Sequence, residues 1–204
     1  MPENEPRERL TREQQLETLY KVLDDGLVSD YSAAIDGGAN RGDWTQVMAR
    51  SFSVVHAFEP APDTVETLRA NLAGIENVVI HEKALFNRRG RGVVKHPPKR
   101  TSSSARYVHP RENGSVVLTT IDALRLPHCG LIKVDLEGAE FEALQGALKT
   151  IGRCRPILMV EINRFSRKHF GRSPNQVRQL IKTLDYELVF SRGDDFVFKP
   201  RRRA

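Results

Sequence analysis

Short apolar runs alternate with segments of helical periodicity along most of the chain. Strands are predicted where consecutive apolar residues end at a polar residue or a turn, at 32–36, 54–59, 78–82, 131–135 and 156–162. Helices are predicted where apolar side chains recur on one face, at 11–26, 43–50, 64–72 and 174–184, and in one helix that contains Phe141, Leu144, Leu148 and Ile151. Strands that alternate with helices build a parallel sheet with right-handed crossovers, so the sequence predicts an α/β fold.

The middle of the chain, residues 86–120, departs from this alternation. A long helix is disfavoured there by the helix-breaking residues Gly90, Gly92, Pro97, Pro98, Pro110 and Gly114. Short strands are predicted instead at 93–95, 106–109 and 115–120, with Asn113-Gly114 as a hairpin turn. A final hairpin is predicted from 187–191 and 196–199. We therefore expect one mostly parallel sheet and an irregular, β-rich insert around 86–120.

Composition places the chain among ordinary globular proteins, with 204 residues, 39% of them hydrophobic and 28% charged. This length suits one domain, and we predict an N-terminal leader and helix over 1–27, a main domain over 28–200 and a basic tail over 201–204. No apolar run approaches the roughly 18 residues that span a bilayer. The charged N-terminus lacks the apolar stretch of a secretory signal, and two cysteines cannot form a disulfide framework. We expect a cytoplasmic protein.

The net charge of +6 is unevenly distributed. Nine Lys and Arg residues and no acid lie between Lys83 and Arg111. Such a segment attracts phosphate or carboxylate groups through its field, although a solvated basic loop is the more ordinary explanation. An acceptor that carries such a group would contact Arg88, Arg89, Lys99 and Arg100. Nucleic acid is not expected, because no RNA-binding motif accompanies the charge.

The strongest chemical signal is the turn Asp36-Gly-Gly-Ala-Asn-Arg-Gly42, which follows the first predicted strand. Glycines let a ligand approach the backbone, and the helix that follows presents free N–H groups. Glu59 closes the second strand, 23 residues after Asp36. An acid at about this offset is placed to accept hydrogen bonds from the two hydroxyls of a ribose. Turn, acid and spacing together predict a site for a nucleoside-type cofactor.

The acid at the start of the turn bears on which cofactor this is. A dinucleotide fold prefers G-x-G-x-x-G, and Asp36 would lie near the phosphates of NAD, where like charges repel. S-adenosylmethionine carries an ammonium group and a sulfonium, both of which an acidic turn attracts. The sequence therefore favours the methyl donor, and an NAD-dependent dehydrogenase is a distant alternative.

Five motifs occur in the order seen in FkbM-type methyltransferases, which this sequence resembles from about residue 30 to 198. They are Asp36–Gly42, His56-Ala-Phe-Glu-Pro60, Lys83-Ala-Leu85, Ile132-Lys-Val-Asp-Leu-Glu-Gly-Ala-Glu140 and Val160-Glu-Ile162. The resemblance implies a Rossmann-like class I fold dependent on S-adenosylmethionine. Its sheet would have seven strands in the order 3-2-1-4-5-7-6, with the last strand antiparallel. It also implies methylation of hydroxyl groups, often on sugars or natural products.

Carried over residue by residue, the resemblance assigns eight positions to the cofactor. The turn after the first strand would hold the methionine end, the end of the second strand the ribose, and the residues after the third strand the adenine. In chain order these positions are Asp36, Gly38, Asn40, Gly42, Glu59, Pro60, Lys83 and Ala84. Gly37 departs from the family, in which many members have an apolar residue there.

Acids at the ends of the fourth and fifth strands are the first candidates for catalysis. Asp135 and Glu161 each interrupt an apolar strand at the edge where the cofactor is expected. Either could orient a hydroxyl, accept its proton, or hold a divalent metal through its oxygens. His169 is a third candidate base, although a surface histidine is the commoner case. Glu137 and Glu140 are explained at least as well by the helix dipole, which favours acids in the first turn.

We therefore predict an S-adenosylmethionine-dependent methyltransferase that acts on a hydroxyl of a small molecule, such as a sugar or secondary metabolite. The insert, the loop 163–172 and the N-terminal helix would define the acceptor. One alternative is an N-methyltransferase or RNA-directed enzyme, for which RNA binding would depend on salt. Another is a binding protein that keeps the cofactor fold without catalysis, in which Asp135→Ala would change nothing.

Overall fold

The computed structural model describes residues 11–96, 106–163 and 169–202. Lys99, Arg100 and the serines 102–104 lie outside the described residues. The strands are β1 (Ala33–Gly37), β2 (Val54–Phe58), β3 (Val78–His81), β4 (Lys83–Leu85), β5 (Gly90–Lys95), β6 (Tyr107–Pro110), β7 (Val116–Thr119), β8 (Leu131–Val134), β9 (Ile157–Glu161), β10 (Tyr186–Arg192) and β11 (Asp195–Pro200). The helices are α1 (Arg12–Asp24), α2 (Asp43–Ala49), α3 (Pro62–Asn71), α4 (Glu140–Gln145), α5 (Leu148–Cys154) and α6 (Pro174–Thr183), with a 3-10 turn at Ile121–Leu124.

Seven strands form the main sheet, in the spatial order β3-β2-β1-β8-β9-β11-β10. Numbered along the chain within this sheet, the order is 3-2-1-4-5-7-6, as the family resemblance implied. The neighbours from β3 to β9 are parallel, whereas β11 runs antiparallel to both β9 and β10. The carboxyl ends of β1, β2, β8 and β9 consequently meet at one edge, with the strand order reversing between β1 and β8.

A second sheet, in the order β4-β7-β5-β6, contains the predicted insert. Its β5 pairs antiparallel with β6 and β7, while β4 pairs parallel with β7. The prediction of a β-rich insert is therefore confirmed, and the strand that follows β3 belongs to it. The hairpin predicted at Asn113-Gly114 was wrong, because β6 and β7 lie on opposite sides of β5 and do not pair with each other. Ala84, Phe86 and Leu118 bury one side of this small sheet against Ala139, which lies just before α4. The insert is thereby held beside the carboxyl edge of the main sheet.

Helices cover both faces of the main sheet, as a parallel sheet requires. On one face, α1 and α2 bury Leu19, Val22 and Met48 against the strands. On the other face, α4, α5 and α6 bury a second apolar cluster that includes Leu144 and Ile181. Helix α1 thus shares its core with the main domain. None of the helices in the described part of the chain is long and apolar enough to cross a membrane.

The helix predicted after β8 is in fact two helices, α4 and α5, so the prediction of one apolar face was wrong there. Leu148, expected to be buried, is 42% exposed. The helix is interrupted at Gly146, where an added Cβ would lie 2.1 Å from the carbonyl oxygen of Phe86. The new helix start at α5 is then capped by Asp122, whose carboxylate accepts the N–H groups of Lys149 and Thr150 at 3.0 and 2.8 Å.

Candidate functional site

A cavity of about 730 Å³ opens at the carboxyl edge of the main sheet. Its walls come from the turn after β1, the start of α2, the ends of β2, β8 and β9, the strand β4 and the insert. The predicted site residues that line it are Gly38, Asn40, Glu59, Pro60, Lys83, Ala84, Asp135 and Glu161. Gln15 of α1 and Val94 and Val108 of the insert also line the cavity, at the places where an acceptor site was expected.

The turn after β1 depends on glycine at two positions. Gly38 has a φ of +79°, and a Cβ there would lie 1.9 Å from the carbonyl oxygen of Asp135. Its N–H and that of Ala39 both donate to the carbonyl of Phe58, at 3.0 and 2.9 Å. Gly42, with a φ of +93°, lies outside the cavity wall and directs the chain into α2. The glycines thus let the turn lie directly against the end of β8.

Asp36 is fully buried and does not line the cavity. Its carboxylate accepts a hydrogen bond from the hydroxyl of Thr45 at 2.7 Å and from the ammonium group of Lys133 at 3.1 Å. A direct contact between Asp36 and a cofactor, as the sequence suggested, does not fit this position. Lys133, which sequence reasoning missed, is the residue that reaches the cavity wall. The available signal was a charged residue in the middle of the apolar strand β8.

Glu59 is 8% exposed and is fixed at the end of β2 by two backbone hydrogen bonds. Its Oε2 accepts the N–H of Asn40 at 3.1 Å, and its Oε1 accepts the N–H of Ala61 at 2.9 Å. Burial raises the pKa of Glu59, although the two N–H groups and the nearby Arg106 act in the opposite direction. The side chain is therefore held rigidly where the turn after β1 meets the start of α3.

Three carboxylates gather at the other end of the cavity. Oxygens of Asp135, Glu140 and Glu161 all lie within 4.8 Å of one another. Glu140 is fully buried and accepts the N–H groups of Leu136 and Gly138, at 2.8 and 3.0 Å, so it braces the turn that precedes α4. Oxygen donors at this spacing suit a hard divalent cation, which is the alternative role that the sequence left open for Asp135 and Glu161.

Burial and mutual repulsion favour the protonated form of several acids at this end. Burial, followed by the neighbouring Asp135 and Glu140, raises the pKa of Glu161 well above its ordinary value. Burial raises the pKa of Glu140 to about 7. Asp195, which is opposite Glu161 in the β9–β11 pairing, has its pKa raised to about 7 by burial and by Asp135. Sequence reasoning missed Asp195, because it lies beside a hairpin turn, where acids are common.

His169 does not line the cavity. Its ring stacks on Tyr107 of the insert, with 3.8 Å between ring centroids. Phe170 packs near the same aromatic side chains, 6.1 Å from the ring of Phe86. The described end of the loop after β9 therefore contacts the insert through aromatic rings. A role for His169 as a base does not follow from this position.

The raised pKa values predict that the protein without ligand loses stability as the pH rises. The pKa of Glu140 is about 7 in the folded protein and near 4.5 in the unfolded chain. Its protonated form therefore stabilises the fold fully below about pH 4.5, and this stabilisation is lost as the pH rises to about 7. For Glu140 the loss amounts to roughly 3 kcal/mol. We expect the melting temperature in EDTA at constant ionic strength to fall between about pH 6.5 and 8, because at lower pH the half-buried His56 and His81, whose pKa values are lowered by burial, add stability as the pH rises.

Thermal melts of Glu140→Gln should show a shallower fall across this pH range. Glu187→Gln is the matched control, since Glu187 is a half-exposed acid paired with Lys199 and should leave the slope unchanged. Equal slopes in the wild type and Glu140→Gln would contradict the assignment of a raised pKa to Glu140.

The fold and the site together define a class. A seven-stranded sheet with an antiparallel last strand, a glycine turn after β1 and an acid after β2 are the features of the class I methyltransferase fold. The sequence model of the Methyltransferase FkbM domain matches residues 36–188. The chain belongs to this family, which confirms the resemblance found in its motifs.

Named relatives agree with this family. Methyltransferase 1 of Beauveria bassiana is 28% identical over 62% of this chain and 62% of its own length. The hexuronic acid methyltransferase AglP of Haloferax volcanii is 28% identical over 82% of this chain and 70% of its own length. The crystal structure of the FkbM methyltransferase from Methylobacillus flagellatus KT is 17% identical with a TM-score of 0.55, over 94% of this chain and 56% of that one. The chain thus spans less than two thirds of the first and third of these proteins.

Proposed function

We infer that the chain is an S-adenosylmethionine-dependent methyltransferase that transfers a methyl group to a hydroxyl of a small molecule. One observation carries this proposal: a single cavity brings together the glycine turn, Glu59 and the acids Asp135 and Glu161. The first two features suit the cofactor, and the acids suit the removal of a proton from an acceptor. The family and its fold support the same reaction class.

The residues present fit a nucleoside-containing cofactor. Each oxygen of Glu59 accepts one backbone N–H, and a carboxylate has about four acceptor positions, so acceptor capacity remains for ribose hydroxyls. Phe58, Ala84 and Leu85 add apolar wall on the side of β4, where an adenine ring would be bound. The cavity also has the volume of a typical small-ligand site.

Methyl transfer requires an aligned acceptor oxygen and the loss of its proton. S-adenosylmethionine supplies the methyl group as an electrophile when it is bound. Asp135 is the proposed proton acceptor and Glu161 the second candidate. Burial, followed by the neighbouring Asp135, raises the pKa of Glu161 well above its ordinary value and so favours its protonated form, which makes Asp135 the preferred base.

A sugar is the acceptor class best supported, and a sugar with a carboxylate fits the charge of the insert. The relative from Haloferax volcanii is named as a hexuronic acid methyltransferase. Arg88 and Arg89 lie where the chain enters the insert, and the guanidinium of Arg88 lies 5.8 Å from the centroid of the Phe86 ring. These cations would attract an acidic acceptor. Neutralising both should raise the KM for the acceptor more than it lowers kcat.

Calorimetric titration with S-adenosylhomocysteine and with NAD tests the cofactor. We expect micromolar binding of S-adenosylhomocysteine, no binding of NAD, and an affinity loss of about 10-fold or more in Glu59→Ala, because ribose hydroxyls would lose charged acceptors. Glu66→Ala, on an exposed position of α3, is the control. Binding of NAD instead would overturn the proposal, and binding of neither would favour a protein without catalysis.

A further inference from the structure

Lys133 carries a buried ammonium group in the wall of the cavity. The residue is 3% exposed and lies on the central strand β8, next to Asp36 in the pairing with β1. Its Nζ lies 3.1 Å from Oδ1 of Asp36 and 5.0 Å from the centroid of the Trp44 ring. Within the described residues, Arg41, Lys83, Arg106 and Lys133 are the cations that line the cavity, and Lys133 alone of them is buried.

The hydrogen bonds of this ammonium group are incomplete. An ammonium has three N–H donors, and among the described residues one hydrogen bond is formed, to Asp36. The ring of Trp44 interacts with the ammonium group as a cation–π partner, which offsets part of the cost of its unused N–H donors. A buried donor without an acceptor is costly, so an acceptor supplied from the cavity would stabilise this arrangement.

The group keeps its charge in this position. Its Nζ lies 3.1 Å from a carboxylate oxygen of the buried Asp36, so the two opposite charges stabilise each other. A charged ammonium group on a residue that lines a cavity is suited to an anion. The hydrogen bond to Asp36 fixes its place, which gives Asp36 a positioning role behind the wall.

The sheet places Lys133 opposite the nucleoside end of the cavity. Glu59 follows β2 and Ala84 lies in β4, whereas Lys133 is on β8, which is separated from β2 by β1. Neighbouring strands are about 4.8 Å apart, so β2 and β8 are roughly 10 Å apart. A cofactor with its ribose at Glu59 that extends across the turn after β1 therefore directs its amino-acid end toward Lys133.

We propose that Lys133 binds the α-carboxylate at the amino-acid end of the cofactor. This rests on the proposed function, because it takes S-adenosylmethionine as the ligand. The carboxylate completes the hydrogen bonds of the ammonium, while Asp36 holds the ammonium in place. Lys133 is then a direct cofactor-binding residue.

The test combines a change in the protein with a matched change in the ligand. S-adenosylhomocysteine and its decarboxylated analogue, which lacks only the carboxylate, are titrated into the wild type and Lys133→Met by calorimetry. We expect decarboxylation to weaken binding to the wild type by about 10-fold or more, as for a charge-assisted hydrogen bond. Lys133→Met should weaken binding of S-adenosylhomocysteine by the same factor as decarboxylation does in the wild type. It should change the affinity for the decarboxylated analogue by less than about threefold.

A supporting role for Lys133 gives a different pattern, because Lys133→Met would then weaken both ligands by the same factor. Equal affinity of the wild type for both ligands would also overturn the proposal, and this comparison needs no variant. If the wild type binds neither ligand, the proposed cofactor itself fails, which is a separate result.

A second variant tests whether a loss of affinity in Lys133→Met comes from impaired folding. Lys133→Met leaves Asp36 as an uncompensated buried acid, so Asp36→Asn with Lys133→Met removes both charges together. We expect the double variant to regain thermal stability without regaining affinity for S-adenosylhomocysteine. Recovery of both would show that Lys133 acts only through the buried ion pair. Lys149→Met, at an exposed position of α5, is the control for loss of a positive charge.

Discussion

Gly38→Ala is expected to abolish binding of S-adenosylhomocysteine and to lower the free energy of unfolding by several kcal/mol. The added Cβ would lie 1.9 Å from the carbonyl oxygen of Asp135, a backbone atom that cannot rotate away. The turn must therefore separate from β8. This removes the hydrogen bonds of Gly38 and Ala39 to Phe58 or displaces Asp135 from the cavity wall. Steric overpacking costs about 1–3 kcal/mol, and the left-handed conformation adds about 1–2 kcal/mol for a residue with a Cβ.

Gly74→Ala is the matched control for this experiment. Gly74 has a φ of +83°, close to the +79° of Gly38, but a Cβ at Gly74 would meet nothing within 4 Å. Its substitution costs only the strain of the left-handed conformation, about 1 kcal/mol, and should leave ligand affinity unchanged. Chemical denaturation and calorimetry of both variants measure the difference. Equal stability and affinity of the two variants would show that close packing of the turn on β8 is not required.

The turn and the acids at the strand ends could be predicted because they are local features of the sequence. The glycines between β1 and α2 and the acids Glu59, Asp135 and Glu161 all mark ends of apolar runs. In a parallel sheet such ends meet at one edge, so a list of strands already places these residues together. The order of the strands came from the resemblance to a family, since periodicity alone does not order strands. The insert was predicted from glycines and prolines that disfavour a helix.

Contacts between distant parts of the chain could not be predicted in the same way. Asp36 and Lys133 are 97 residues apart, and only the pairing of β1 with β8 makes them neighbours. Without that pairing, Asp36 looked like a ligand for the cofactor, whereas in the fold it is the partner of a buried lysine. Asp195 similarly comes next to Glu161 only through the antiparallel pairing of β11 with β9. The helix break at Gly146 lies where the chain passes close to the carbonyl oxygen of Phe86, 60 residues earlier.

Asp135→Asn is expected to lower kcat for methyl transfer by roughly 10²- to 10⁴-fold, the usual contribution of a general base. The amide has the shape of the carboxylate but cannot accept the proton of the acceptor hydroxyl. Affinity for S-adenosylhomocysteine should change by less than about threefold, because the turn and Glu59 are unaffected. The measurement is single-turnover transfer of a radiolabelled methyl group to a hexuronic acid glycoside that the wild type methylates.

Two further variants separate Asp135 from the other candidates. Glu161→Gln should lower kcat less than Asp135→Asn, since burial raises the pKa of Glu161 and favours its protonated form, which the glutamine resembles. His169→Ala should leave kcat unchanged and raise the KM for the acceptor, because His169 stacks on Tyr107 of the insert, which we expect to bind the acceptor. If Asp135→Asn retained the wild-type kcat while Glu161→Gln lost it, the roles of the two acids would be exchanged.

Titration with EDTA distinguishes a base from a metal ligand at Asp135, because a base acts without a metal. A metal would need its ligands deprotonated, whereas burial raises the pKa of Glu140 to about 7 and that of Glu161 well above its ordinary value. A cation would first have to displace these protons, so we expect EDTA to leave kcat unchanged. Loss of transfer in EDTA and its recovery with Mg²⁺ would instead mean that Asp135→Asn removes a ligand. The same three carboxylates would then lower the pKa of the acceptor hydroxyl through the metal.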